Sequence, residues 1–332
     1  MNTRPDWLGL PYYPISQFYK QRFGERVRKI SVSVAETCPN REGLRGMKTC
    51  NFCDVWGSAA HPEKSQLGVA EQIREVRDLM RLHYPARKFL VYFQAYTTTY
   101  AKTTELRRQF ETAFSFTDVI GAVVGTRPDC ISDAVLELWR EYSEKYFLSV
   151  ELGVQSFSEE QLIWMRRGHT AKRSREAVHW IRQAVPNVDL SVHLMFGLPD
   201  ETDQDVIDAA IECNQLPIDS VKVHNLHVLR NTPLEEDFNN GLFKPIEQLD
   251  YFRRCKLFLQ HLNPNFAVHR LAALSNKPGE LISPAWTGYK MKTYQDFLTY
   301  MRTEQAYQGQ YFNQLDLIKI VPANTLATAI NL

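Results

Sequence analysis

The sequence predicts an α/β fold, a partial (β/α)6 TIM-like barrel over 27–230 followed by a C-terminal α+β extension, and three observations carry this. Six short apolar runs alternate with longer amphipathic ones, the order of a parallel sheet with right-handed helical crossovers. Most runs are rich in β-branched and aromatic residues without a clean two-residue alternation, as expected of strands covered on both faces. Six units are two short of a closed eight-stranded barrel. The sheet should therefore stay open, with the loops at the carboxyl ends of its strands forming the site.

The strands are expected at 27–35 (VRKISVSVA), 88–95 (KFLVYFQA), 118–126 (DVIGAVVGT), 146–154 (YFLSVELGV), 188–197 (VDLSVHLMFG) and 219–229 (DSVKVHNLHVL). Helices are expected between them at 70–83, 103–114, 132–145, 158–185 with a break near Gly168, and 203–214. Ser158 with Gln161 has the spacing of a capping box, and Phe157 with Leu162 that of its hydrophobic staple. Thr202 with Asp205 repeats the arrangement after the fifth strand. Beyond residue 230 the chain is punctuated by Pro233, Pro245, Pro264, Pro278, Pro284 and Pro322. Helices are expected there at 246–262 and 292–306, with one short strand around 266–271. The chain thus divides into an N-terminal extension (1–26), the barrel (27–230) and a C-terminal extension (231–332) that closes the barrel. Residues 263–292, with Trp286 followed by Lys290 and Lys292, suit a lid that excludes water. The alternative is that Trp286 packs the last helix onto the barrel.

A hydrophobic fraction of 44% and a charged fraction of 23% in 332 residues are those of a globular protein with a sizeable core. Mean hydropathy is −0.35, and no apolar run approaches the ~20 residues of a membrane span. The first residues have neither the apolar core of a signal peptide nor a cleavage site, so the cytoplasm is the expected compartment. A net charge of +1 argues against a protein that coats nucleic acid. The charge is uneven: nine Lys/Arg against four acids in 1–50, and twelve acids against three bases in 200–250.

Six cysteines in such a chain are no disulfide scaffold. Cys130, Cys213 and Cys255 stand alone and should pack as small hydrophobes. Cys38-x11-Cys50-x2-Cys53 sits directly after the first strand. Three thiolates can hold three irons of a [4Fe–4S] cluster and leave the fourth open to a non-protein ligand. Arg41, Arg45 and Lys48, within the loop, would offset the charge of a thiolate-bound cluster. The spacing alone also accommodates a zinc-stabilised binding module, with Cys38, Cys50, Cys53 and His61 as a Cys3His set.

Later segments bear on that choice. Glu151 is a charge inside an apolar strand, costly to bury without a partner. The segment after the fourth strand is strongly basic, with Arg166, Arg167, Lys172, Arg173, Arg175 and Arg182. His224 and His227 alternate with one another on the sixth strand, and one is expected to face the barrel interior. His169 suits a structural turn as well as a functional role.

Taken together, ordered motifs resemble the radical S-adenosylmethionine (SAM) superfamily. Cys50-Asn51-Phe52-Cys53 is similar to the second half of its cluster motif, with an upstream gap of eleven residues instead of three, as in the radical SAM domain of the Elongator catalytic subunit. Gly125-Thr126-Arg127-Pro128-Asp129, Glu151-Leu152-Gly153-Val154-Gln155-Ser156, Arg167-Gly168-His169-Thr170 and His193-Leu194-Met195-Phe196-Gly197-Leu198-Pro199 are similar to motifs of that group. Ile282-Ser283-Pro284-Ala285-Trp286 and Tyr307-Gln308-Gly309 resemble the tail of the YhcC-type radical SAM proteins.

The resemblance implies a cluster on Cys38, Cys50 and Cys53, with SAM bound by residues among Gln94, Thr126, Glu151, Gln155, Arg173, Leu194, Gly197 and His224. Glu151 would bond the ribose hydroxyls, the alternative being a core salt bridge to Arg127 or Arg173. Gln94 stands where the superfamily has a Gly-Gly-Glu motif meeting the methionine amino group, and Arg173 would pair with the SAM carboxylate. The implied chemistry is an electron passed into SAM, giving a 5′-deoxyadenosyl radical that abstracts hydrogen from a substrate. That step needs no acid–base dyad, and none is evident. An electron donor of flavodoxin or ferredoxin type is implied. The target is a modified RNA, after the Elongator-like motifs, or a small metabolite or lipid-like precursor, after the near-neutral charge.

Overall fold

The computed structural model describes residues 7–35, 37–57, 59–273 and 279–312; Pro278, Pro322 and the outer ends of both extensions lie outside the described residues. In chain order come α1 (Ile15–Phe23), β1 (Val27–Ser33), α2 (Val69–His83), β2 (Lys88–Gln94), α3 (Thr103–Phe114) and β3 (Val119–Thr126). Next are α4 (Asp133–Ser143), β4 (Phe147–Gln155), α5 (Glu159–Trp164), α6 (Ala171–Ala184), β5 (Asp189–Phe196), α7 (Asp203–Gln215) and β6 (Ser220–Asn225). The C-terminal part holds β7 (Val228–Leu229), α8 (Pro233–Asn239), α9 (Gln248–His261), β8 (Ala267–Val268), β9 (Leu281–Ser283) and α10 (Lys290–Thr303).

The sheet is parallel, with strand order β1-β2-β3-β4-β5-β6-β8. It is strongly curled: Lys29 on the first strand lies 3.2 Å from His269, just past the last. A half-barrel is thus present, with a seventh strand where six were expected. β8 is two residues of the short strand expected around 266–271, and it pairs with β6 as Ser220↔Ala267 and Val221↔Val268. Its outer edge is covered by the N-terminal segment, where Val268 N–H donates to Tyr13 O (2.8 Å). Such cover blunts an otherwise open edge. Gln308 pins both pieces, accepting from Tyr13 N–H (2.9 Å) and donating to Asn263 O and Phe266 O (each 2.8 Å).

The sixth strand is shorter than expected. After Asn225 the chain leaves the barrel, and Val228–Leu229 pairs antiparallel with Leu281–Ser283. The long helix expected over 158–185 is broken at 165–170, where Arg166 takes φ 57°. Ser158 caps α5, but Gln161 turns its side chain to the Ser156 hydroxyl instead of back to the cap, so the box is half formed. Phe157 and Leu162 join different apolar clusters and make no staple. The Thr202–Asp205 box is complete.

Burial explains the sheet. On β4 to β6, Leu148, Val150, Leu152, Val154, Leu190, Val192, Leu194, Phe196, Val221 and Val223 join the main core with the helices. The residues between them are Ser149, Glu151, Gly153, Gln155, Asp189, Ser191, His193, Met195, Ser220, Lys222 and His224. These strands do alternate, against the sequence expectation, apolar toward the helices and largely polar toward the barrel interior. Elsewhere the interior is filled by α1: Tyr19 packs with Leu90 and Val123, flanked by Phe18, Phe23 and Phe147. A smaller cluster at the strand ends joins Leu162, Met165, Met195, Leu226 and Leu234, with Phe52 from the cysteine loop packed against it. Trp286 lies against Tyr251 of α9 (ring centroids 5.2 Å) and donates to Ile246 O (3.3 Å).

Candidate active site at the carboxyl ends of the strands

The loop after β1 carries Cys38 and Cys50, both buried, and half-buried Cys53. Its shape is set by local bonds: Glu42 N–H donates to Cys38 O (3.1 Å) and Cys53 N–H to Cys50 O (3.1 Å). The loop is then moored to the rim. Asn40 donates to Lys48 O and to Arg166 O (each 2.7 Å), and its own oxygen accepts from Arg127. Arg127 is buried and clamps Asp129 with two bonds (2.9 and 2.8 Å). Asn51 N–H donates to Met165 O (3.3 Å), and Leu234 N–H donates to Asn51 O (3.0 Å).

Two guanidinium groups reach the sulfurs. Arg41 Nη2 lies 3.3 Å from Cys53 Sγ, and Arg167 Nη1 lies 3.5 Å from Cys50 Sγ. Arg167 also donates to Gly153 O (2.9 Å), bridging the loop to β4. Arg45 and Lys48 are exposed. Burial, and next the neighbouring Cys50, push the Cys53 thiol up to about 12, and Arg41 only partly offsets this. Cys53 is therefore protonated unless a metal takes the proton's place.

Two glycines sit where the loops pack most tightly on their neighbours. A Cβ on Gly168 would stand 2.2 Å from Met47 Sδ and 2.7 Å from Arg127 Nη2. At Gly57 it would meet the Tyr96 ring at 2.3 Å, on a backbone with φ +59°. Tyr96 in turn lies under Arg41 (5.2 Å) and donates to Val55 O (2.8 Å).

The other expected site residues separate into groups. Gln94, Thr126 and Gln155 end β2, β3 and β4 on the same rim, Gln155 with φ 72°. The Thr126 hydroxyl shares a 2.5 Å hydrogen bond with Thr99. Nearby, Thr97 Oγ1, Asn225 Oδ1, Arg41 Nε and Arg167 Nε are buried without a hydrogen-bond partner. Leu194 is committed to the helix-side core, and Gly197 N–H donates to the buried Glu201 carboxylate (2.9 Å). Arg173 turns outward to Glu176 (3.9 Å) and over Trp180 (5.5 Å), because Thr170 caps α6 and faces its first turn away from the rim. Arg167, three residues before that cap, occupies the position by the cysteines.

Glu151 is four residues short of the strand end, and both its oxygens are engaged. Oε1 meets Lys29 (2.6 Å) and His269 (3.1 Å). Oε2 meets Lys222 (2.5 Å), Tyr92 Oη (2.6 Å) and His193 (2.9 Å). Burial opposes its charge, but Lys222 and Lys29 outweigh it and hold the carboxyl well below its ordinary range. The core salt bridge weighed from the sequence thus exists, with Lys29 and Lys222 in place of Arg127 or Arg173. His224 also faces the interior, its ring 5.2 Å from that of His193. Lys29, Tyr92, Lys222, His193, His269, Asn40 and Arg167 were not among the expected site residues. The polar alternation on β4 to β6 was the signal that could have found His193 and Lys222.

The zinc set is not assembled. His61 is turned to Glu63 (3.3 Å). Among the described residues, no three His, Cys, Asp or Glu side chains are gathered to hold one metal ion. Nor is any described helix long and apolar enough to cross a membrane.

Residues 32–212 match the model of the radical SAM superfamily, and residues 218–303 that of the radical SAM C-terminal domain. YtqA of Bacillus subtilis is 29% identical over 92% of this chain and 94% of its own length. YhcC of Escherichia coli is 32% identical over 80% of this chain and 84% of its own. Among solved structures, an archaeal Elp3 from Methanocaldococcus infernus superposes with a TM-score of 0.62 at 16% identity, over 87% of this chain and 67% of that one, a likeness of fold. The chain belongs to the radical SAM superfamily of enzymes.

Proposed function

We propose that Cys38, Cys50 and Cys53 hold a [4Fe–4S] cluster and that SAM binds beside it, over the ends of β2 to β5. The observation that carries this is the pair of guanidinium contacts: Arg41 on Cys53 Sγ and Arg167 on Cys50 Sγ, beside buried polar atoms without partners. Charge-assisted donors of this kind suit thiolates bearing a cluster's negative charge. A four-iron cluster is wider than one ion, so its thiolates need no single-ion convergence. When bound, these groups would supply reductive cleavage of SAM, its electron coming from an external reductant, and through it hydrogen abstraction from substrate.

The chain's own residues position and shield. Arg127 and Asn40 fix the cysteine loop to the rim, and Phe52 anchors it in the apolar cluster. Gln94, Thr126 and Gln155 offer hydrogen bonds to SAM, and Arg167 replaces Arg173 as the cation facing its carboxylate. Glu151 acts in the barrel interior and not on ribose. The C-terminal part excludes water: Arg230 N–H donates to Glu280 O (2.8 Å), and the Glu280 carboxylate accepts from Trp56 of the cysteine loop (3.2 Å).

The test is anaerobic reconstitution with iron and sulfide, reduction with dithionite, and measurement of 5′-deoxyadenosine from added SAM. Cleavage dependent on all three cysteines is expected. A fully iron-loaded protein that yields none would overturn the proposal.

A further inference from the structure

The barrel interior beside Glu151 is built unlike a structural core. Where α1 plugs it, large apolar side chains fill the space, as barrel interiors usually are. Along β4 to β6 that filling gives way to charge. Lys29 and Lys222 converge there on one carboxylate, Glu151, with the Arg270 guanidinium close by. The next acid on these faces, Asp189, is bonded to Ser149 (2.6 Å), and burial raises its pKa to about 6.

Lys29 and Lys222 share Glu151 between them, while Arg270 has no carboxylate among the described residues. Its guanidinium lies against the His224 ring instead, with Nη2 2.8 Å from Nδ1 and 3.1 Å from Nε2. Burial lowers the pKa of Arg270, although the residue keeps contact with solvent. The imidazoles stay neutral and add no further positive charge: burial depresses His193 to about 3 and His269 to about 4, and holds His224 well below the ordinary range. The Ser191 hydroxyl is wholly buried without a hydrogen-bond partner, on β5 between Glu151 and Ser220 in the sheet register. Surplus positive charge and an unpartnered hydroxyl are both costly in such surroundings. An oxyanion offsets the first and can accept from the second.

We propose that Arg270, Lys222 and Ser191 form the recognition site for an anionic group, phosphate or carboxylate, of the substrate of this enzyme. This rests on the radical SAM function proposed above for the rim. It assigns to the interior the half of the substrate that is held and to the rim the half that reacts. It favours a small anionic metabolite over a neutral or lipid-like one.

The test uses the full-length, cluster-loaded protein under anaerobic conditions. Inorganic phosphate and acetate are titrated separately by calorimetry at constant ionic strength, with and without SAM. Saturable one-to-one binding of at least one anion is expected, undiminished by SAM. Arg270→Gln and Lys222→Gln should each weaken it about tenfold or more, with Arg270→Lys restoring part of the loss. Circular dichroism confirms that each variant is folded, and solvent-reachable Arg270 is the variant least exposed to misfolding. Absence of saturable binding, binding in both Gln variants as tight as in the parent, or competition with SAM would overturn the proposal. 5′-Deoxyadenosine formation is measured on the same samples. Cleavage without anion binding defeats this inference alone, whereas specific anion binding without cleavage leaves it standing and removes the function proposed for the rim.

Discussion

The Glu151 carboxylate and the Lys222 ammonium lie 2.5 Å apart in the barrel interior, on strands separated by β5. Desolvation is the largest influence on Lys222 and lowers its pKa to about 7, against the pull of Glu151. Glu151 is fully buried, so it cannot be removed without leaving Lys29 and Lys222 facing each other.

Glu151→Gln should therefore destabilise the fold by about 3–5 kcal/mol, the usual cost of breaking a buried ion pair on one side. Iron content and SAM affinity of the folded fraction should be unchanged. Urea denaturation and equilibrium SAM binding measure the two effects. Normal stability with lost SAM binding would return Glu151 to the ribose role that the resemblance implied.

Replacing Cys38, Cys50 or Cys53 by Ala should abolish the ~400 nm absorbance and bound iron of the reconstituted protein. Cys213 and Cys255 are packed in the helix-side core. Their alanine variants should lose stability but keep full iron. Iron retained in Cys50→Ala, or lost in folded Cys213→Ala, contradicts the assignment.

Arg167→Met removes a positive charge and a donor from Cys50 Sγ while keeping much of the side chain's bulk. The cluster's reduction potential should fall, on the order of tens of mV, because the oxidised form loses less than the more negative reduced form. Redox titration followed by electron paramagnetic resonance reads the shift. An unchanged or higher potential would mean that the contact does not reach the cluster.

Acid should destabilise the protein. Burial holds His193 and His169 at about 3, and His227 and His269 at about 4. A depressed histidine contributes stability that is full above the ordinary value of about 6.5 and is lost as pH falls toward the folded-state value. Glu201, raised to about 7, and Asp189, raised to about 6, oppose this, since both favour the folded state as pH falls. With His224, also held well below its ordinary range, the five depressed histidines outnumber the two acids, so denaturation midpoints should drop between pH 6.5 and 4. His269→Gln should flatten the slope. Parallel slopes for variant and parent would rule out that histidine's part.

Much of this protein was legible in its residues because the relevant physics is local. Apolar runs of strand length with helices between them specify a parallel sheet, and the strand positions were found to within a few residues. Three cysteines on one short loop, and Thr202 with Asp205 at a helix start, need no distant partner to be recognised. The alternation of Ser149, Glu151, Gly153 and Gln155 with valines and leucines was also in the sequence, and it already marked a polar interior.

What the tertiary structure decided depends on groups brought together from far along the chain. Glu151 finds Lys29 and His269 only because the sheet curls until side chains from its first strand and from just past its last one meet. Val268 becomes a seventh barrel strand because β6 offers it a free edge, which the segment at Tyr13 then covers on the other side. Arg167 and Arg173 are the same residue type in one basic segment. The positive φ at Arg166 and the Thr170 cap send one to a cysteine and the other to solvent. Side-chain direction of that kind follows from backbone turns and packing partners, so no composition or spacing could supply it.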